Sequence, residues 1–143
     1  MENNQVGFFL DKINTVQFAT IEMEIEDRAE IAIQANIDFG FHQENKKVMC
    51  ITKFEFQYTH KPFMVLEVNC EFQISDSKWA EMISKSEIVL PKGMLQHLAV
   101  ITIGTVRGVL HAKTENTDYN KYYLPTMNVS KMIEEDISFT LEE

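Results

Sequence analysis

The chain has 143 residues, a net charge of −9 and 45% hydrophobic residues, which suits one domain large enough to bury a real core. An acidic chain without clustered Lys and Arg argues against a nucleic-acid partner, because neutralising phosphates requires such clusters. No apolar stretch approaches the ~20 residues of a membrane span, and the start, MENNQVGFFLDKI, has no basic region before its brief apolar run. Neither membrane insertion nor a signal peptide is expected, and a cytoplasmic location is the default.

Residues 1–14 carry Phe8, Phe9, Leu10 and Ile13 and read as an arm or short helix that packs down. From Phe18 the pattern turns to period two. Ala19, Ile21, Met23 and Ile25 alternate with Thr20, Glu22, Glu24 and Glu26, the mark of a half-buried strand. Asp27-Arg28-Ala29 suits a turn. Ile31, Ile33, Ala35, Ile37, Phe39 and Phe41 then alternate with Gln34, Asn36 and Asp38 as a second strand, and His42 to Lys46 is a polar loop. A third strand is expected at about Lys47–Tyr58 and a fourth at about Pro62–Ile74.

These last two strands are symmetrical about His60. A turn at Thr59-His60-Lys61 sets Phe54 against Leu66, Phe56 against Met64 and Val48 against Phe72 on one face. The same register sets Lys53 against Glu67, an opposite-charge cross-strand pair. Packing and charge thus agree on one hairpin, and the expectation is a four-stranded antiparallel meander with one strongly apolar face and one mixed face.

Ser75–Ser86 is a connector in which Trp79, Met82 and Ile83 are spaced for a short helix. Leu90–Lys113 is the one stretch long enough for a substantial helix, with Pro91 suited to its first turn. Met94, Leu95, Leu98, Ala99, Ile101, Val106, Val109 and Ala112 fall on one broad face, and Lys92, Gln96, Arg107 and His111 on the other. Val100, Ile103 and Leu110 interrupt the polar face, with Gly104 and Gly108 one turn apart at its margin. A helix so apolar is usually covered on two sides; one would be its own sheet, and the other could be a second subunit. The β-branched run Val100-Ile101-Thr102-Ile103 would also suit a buried strand. Thr114–Lys121 reads as a polar loop, Tyr122-Tyr123-Leu124-Pro125 returns to apolar residues, and Ser130 can cap a final helix carrying Met132, Ile133, Ile137 and Leu141. The fold class is therefore α+β, a four-stranded antiparallel sheet followed by a long helix and a C-terminal helix packed on one face, as one domain over residues 1–143.

Chemistry is hard to find in this pattern. The four histidines, His42, His60, His97 and His111, are scattered without metal-ligand spacing. There is no glycine-rich phosphate loop and no nucleophile elbow. No set of titratable groups converges, so neither an enzyme, nor a metal, nor a cofactor is expected. Cys50 and Cys70 face each other in the proposed register; they suit either a redox-sensitive bridge or two small buried hydrophobes in a reducing cytosol. Glu22, Glu24 and Glu26 share one strand face, which more often is a solvated face than a catalytic one. Met49, Ile51, Phe63 and Val65 fall on the mixed sheet face, where a contiguous apolar patch would mark an interaction site.

Leu90-Pro91, then Thr105-Val106-Arg107-Gly108, then Leu124-Pro125-Thr126-Met127-Asn128-Val129, in this order after four strands, resemble the SecB-like export chaperones. The resemblance runs from about the first strand to Val129. Lys92-Gly93-Met94 stands where the family has Tyr-Ala-Arg, and the family's Gly-Gly-Phe-Pro-Pro loop is replaced by Thr114–Lys121, which makes this a divergent member. The resemblance implies a homotetramer, a dimer of dimers with the long helices between dimers and Val100, Ile103, Gly104 and Gly108 at that interface. It implies an ATP-independent holdase that keeps unfolded precursor polypeptides ready for export in apolar grooves, here assigned to Met49, Ile51, Phe63, Val65 and Trp79. It further implies an export motor ATPase that contacts acidic residues on the sheet, a part that Glu22, Glu24 and Glu26 could play. Two other readings stay open: a dedicated chaperone of one labile partner such as an antitoxin, and a ligand-binding or structural module of the same fold, which an enclosed apolar cavity would favour.

Overall fold

A computed structural model describes residues 6–141, and its centre is the hairpin of β3 (Lys47–Tyr58) and β4 (Lys61–Ile74). Val48 pairs with Phe72, Cys50 with Cys70, Phe54 with Leu66, Phe56 with Met64 and Lys53 with Glu67, the register expected from the sequence. The turn itself is tighter than expected. Thr59 and His60 both take positive φ, 49° and 66°, the left-handed pair that matches the twist of a two-residue hairpin. Beyond Phe56 the register slips by one, so that Gln57 pairs with Pro62 and Phe63 is left as the extra residue of a bulge.

The meander is not what forms. The sheet order is β1-β4-β3-β2, with β1 (Phe8–Thr20) on the far edge of β4 and β2 (Ala32–His42) on the outer edge of β3. The expected arm or helix is thus a strand from Phe8 onward, and residues 1–5 lie outside the described residues. Its register shifts at Asp11 and at Val16, and each extra residue reverses the alternation, which hides a strand from a period-two reading. The clean alternation at 21–26 has no ladder: the pairing of β1 with β4 stops at Thr20–Met64, and after the Ile21 N–H bonds the Phe63 carbonyl the chain leaves β4, which itself begins at Lys61. Residues 21–31 instead carry the chain from one sheet edge to the other.

Ser75 starts α1 (Asp76–Met82) by accepting the Lys78 N–H at 3.2 Å, and Trp79 and Met82 are buried. After β5 (Glu87–Leu90), α2 (Lys92–Thr114) lies across β3 and β4 on the apolar face. Met94, Leu95, Leu98, Ala99, Thr102, Ile103, Val106, Leu110 and Thr114 are its buried positions. One end of the helix covers a core of Val48, Cys50, Cys70, Phe72, Trp79 and Leu90; the other covers Phe54, Phe56, Phe63, Leu66 and Val68. Buried hydroxyls are satisfied, Thr52 by the Val68 carbonyl at 2.7 Å and Thr102 by the Leu98 carbonyl at 2.8 Å. By length and composition α2 could cross a bilayer, with a mean hydropathy of 1.3, but here that apolar content covers the sheet.

The C-terminal helix is a single turn, α3 (Val129–Met132); Ser130 lies inside it rather than at its cap, and donates to the side chain of Asn128, which precedes the turn and makes no side-chain cap bond. The chain then ends in a strand, β6 (Ile137–Thr140), antiparallel to β5, with Leu90 opposite Ile137 and Glu87 opposite Thr140. The architecture is mixed α+β: a four-stranded antiparallel sheet, a long helix on one face, short helices and a two-stranded annex.

Candidate functional site

α2 ends where Asn116 takes φ +64°, a left-handed conformation that Asn tolerates better than most residues. Thr117 then caps a 3₁₀ turn, Asp118–Lys121, by accepting the Tyr119 N–H at 3.1 Å. Asn120 ties that turn back to the helix, donating to the Thr114 hydroxyl at 3.0 Å, while Thr114 donates to the Leu110 carbonyl at 2.7 Å. The result holds two tyrosines against the core. Tyr122 lies 4.9 Å from Phe63 at an interplanar angle of 59°, and Tyr119 stacks near Phe63 at 6.5 Å and 21°. Phe56 completes the group, 6.3 Å from Phe63 and 6.4 Å from Tyr122.

Across from this turn runs the connection 21–31. Between the two lies an open cleft of about 1110 Å³ lined by Met23, Ile25, Tyr119 and Tyr122, with Glu22, Glu24, Asp118 and Lys121 at its rim. A second open cleft of about 460 Å³ shares Ile25, Lys121 and Tyr122 and continues along Glu26 to Ile31. Together they form a groove with an aromatic floor and a mainly acidic edge.

The expected client residues are divided by the structure. Met49, Ile51 and Val65 do lie on the open face of the sheet, Ile51 38% exposed and the other two half-buried. Phe63 does not. The bulge that skips it in the pairing turns its ring to the helix side, where it is 0% exposed, a re-aiming that bulges commonly bring about. Trp79 is likewise buried, packed beside Phe41 at 6.5 Å. Around Met49, Ile51 and Val65 the open face carries charges paired among themselves. Lys53 meets Glu67 at 3.7 Å, and Lys47 meets Asp11 at 2.7 Å and Glu71 at 3.7 Å. The hydrogen bond that the Lys47 ammonium donates to the Asp11 carboxylate raises the Lys47 pKa above its ordinary value.

Glu22, Glu24 and Glu26 are exposed but are not on the sheet; they line or border the aromatic groove, because the ladder stops at Thr20. On α2, Val100 (56% exposed), Gly104 and Gly108 face outward, whereas Ile103 is buried in the core. A Cβ added at Gly104 or Gly108 would meet nothing within 4 Å. Cys50 and Cys70 are free, buried and opposite each other. Burial pushes the Cys50 thiol up to about 12 and raises Cys70 as well, so both are inert at neutral pH. Among the described residues no three of His, Cys, Asp and Glu stand close enough to hold a metal.

Tyr119, Tyr122, Met23 and Ile25 are the site residues that sequence reasoning missed. The available signal was an aromatic pair inside a stretch otherwise made of turn formers. The fold and groove define an α+β protein with an open, aromatic-floored cleft and an unpaired sheet edge. No protein-family model matches the chain, and no curated protein matches it.

Proposed function

We propose that this chain is an ATP-independent, SecB-like holdase that binds unfolded polypeptide in extended form. The observation that carries the reading is the open groove between residues 22–31 and the Tyr119–Tyr122 turn. Extended segments bind such grooves through alternate side chains, and aromatic rings accept many apolar residues without demanding one shape. The clefts open to solvent favour a polypeptide over an enclosed small ligand.

A homotetramer in the cytoplasm is part of the same proposal. β1 is a 13-residue edge strand with Phe9, Ile13 and Val16 exposed, a template for pairing with another chain. Val100 with Gly104 and Gly108 on the outer side of α2 offers a second surface where backbones can approach closely. Two mid-helix glycines that nothing in the subunit requires are otherwise a cost.

A dedicated chaperone of one labile partner, such as an antitoxin, is the second reading. The acidic triplet lies off the sheet, and Glu67 and Glu71 on the sheet are engaged by Lys53 and Lys47. Among the described residues that leaves Asp38 and Glu55 as the acids of the open β2–β3 face without an ion pair, set four residues apart along β3 by the register rather than clustered as an export motor would need.

The test is suppression of aggregation of an unrelated, chemically unfolded protein by the purified chain without nucleotide. Suppression at near-equimolar amounts that is lost in Y119S/Y122S supports the general holdase. Absence of suppression by a folded tetramer rejects it and favours the dedicated partner.

A further inference from the structure

Residues 22–31 are held to the fold by little besides side-chain burial. Among the described residues, the backbone bonds of this connection are Ile21 N–H to the Phe63 carbonyl at 2.8 Å, where it leaves β1, and Ala29 N–H to the Glu26 carbonyl at 3.1 Å, within its own turn. Among the described residues none of its side chains makes a hydrogen bond or ion pair. Met23, Ile25 and Ile31 nevertheless pack, half-buried, against the cluster that contains Phe63, Tyr119 and Tyr122. Between them Glu22, Glu24, Glu26 and Glu30 stay in solvent. This is how an extended peptide would sit: alternate apolar side chains on the aromatic floor, with no ladder to hold the backbone.

We infer that residues 22–31 are a displaceable strap that occupies part of the aromatic groove in cis and competes with an incoming polypeptide. The inference rests on the reading of the groove as the client site. Segments with few buried contacts and unpaired backbone groups open at low free-energy cost. A competitor of this kind lowers apparent affinity by the fraction of time the groove stands open, so weakening it raises affinity by the same factor.

The variant M23S/I25S removes the two side chains that seat the strap. Its affinity for Nile red, a neutral apolar dye that the acidic rim does not repel, should rise about tenfold over the wild type. Adding Y119S/Y122S should cancel the gain. Unchanged or weaker dye binding overturns the strap. Reduced, carboxymethylated α-lactalbumin, which cannot refold, is titrated in parallel and should bind M23S/I25S more tightly by a similar factor. A dye gain without binding of that protein to either form leaves the strap standing and removes the holdase reading. Binding of the protein with no change in either affinity removes the strap and keeps the holdase. A dye gain with weaker protein binding also overturns competition, because Met23 and Ile25 would then be client contacts. If the variant does not fold, amide exchange of the wild type decides: residues 22–26 should exchange at least about 100-fold faster than β3 and β4, and equal protection overturns the strap.

Discussion

The Asp136 carboxylate accepts the backbone N–H of Lys92 at 2.7 Å, so the C-terminal segment caps a helix that begins 44 residues earlier. Pro91 precedes that helix and makes no side-chain cap of its own. Gln96 adds a second tie, donating to the Ile133 carbonyl at 2.8 Å. D136A should therefore lower stability by about 1 kcal/mol, and D136N, which keeps an acceptor, by less. Urea unfolding of the three proteins measures the difference, and equal midpoints would show that the cap does not operate.

Phe63 is a core residue, and its truncation should be felt as such. F63A is expected to cost about 3–5 kcal/mol because the cavity sits among Phe56, Tyr119 and Tyr122. I51S, on the open sheet face, should stay within about 0.5 kcal/mol of wild type. Comparison of thermal midpoints separates the two, and similar losses would contradict the placement of Phe63.

Gly104 and Gly108 project into open space from the outer side of α2. Alanine at both should strengthen the isolated helix by roughly 0.5–1 kcal/mol per site. If a second copy packs there, G104A/G108A should weaken assembly while raising subunit stability. Sedimentation across a concentration series, read beside the thermal midpoint, tests this. A variant that is more stable and equally oligomeric removes α2 from the interface.

The Cys50 thiol titrates at about 12 in the folded chain, raised from the ordinary 9.0 chiefly by burial. Between those values the unfolded chain has released a proton that the folded chain still holds. Stability contributed by the neutral thiol is complete below about pH 9 and is lost as pH rises toward about 12. C50A/C70A should show a shallower decline over that window in urea unfolding at stepped pH. A thiol reagent at neutral pH should react with the wild type only as fast as it unfolds; rapid native labelling would contradict the burial.

Much of the sheet was legible because hairpin registers are local. In β3 and β4 the side chains of both faces and the Lys53–Glu67 pair agree on one alignment, and the chain has only to fold back at Thr59-His60. The long helix was legible for a similar reason, since Met94, Leu95, Leu98, Ala99 and Val106 repeat within one element and are buried where expected. Ile137, Phe139 and Leu141 alternate as a strand should, yet Ile133, Ile137 and Leu141 also recur every four residues, as on a helical face. Only pairing with β5 decides between the two.

The sequence by itself determined the α+β composition, the hairpin and the amphipathic helix, all set by contacts among near neighbours. The tertiary structure alone decided that β1 crosses to β4, that a bulge turns Phe63 inward, and that Tyr119, Tyr122, Met23 and Ile25 meet around one groove. Those outcomes depend on which distant surfaces satisfy each other's backbone and apolar area, and a pattern read along one stretch of chain does not contain its partner.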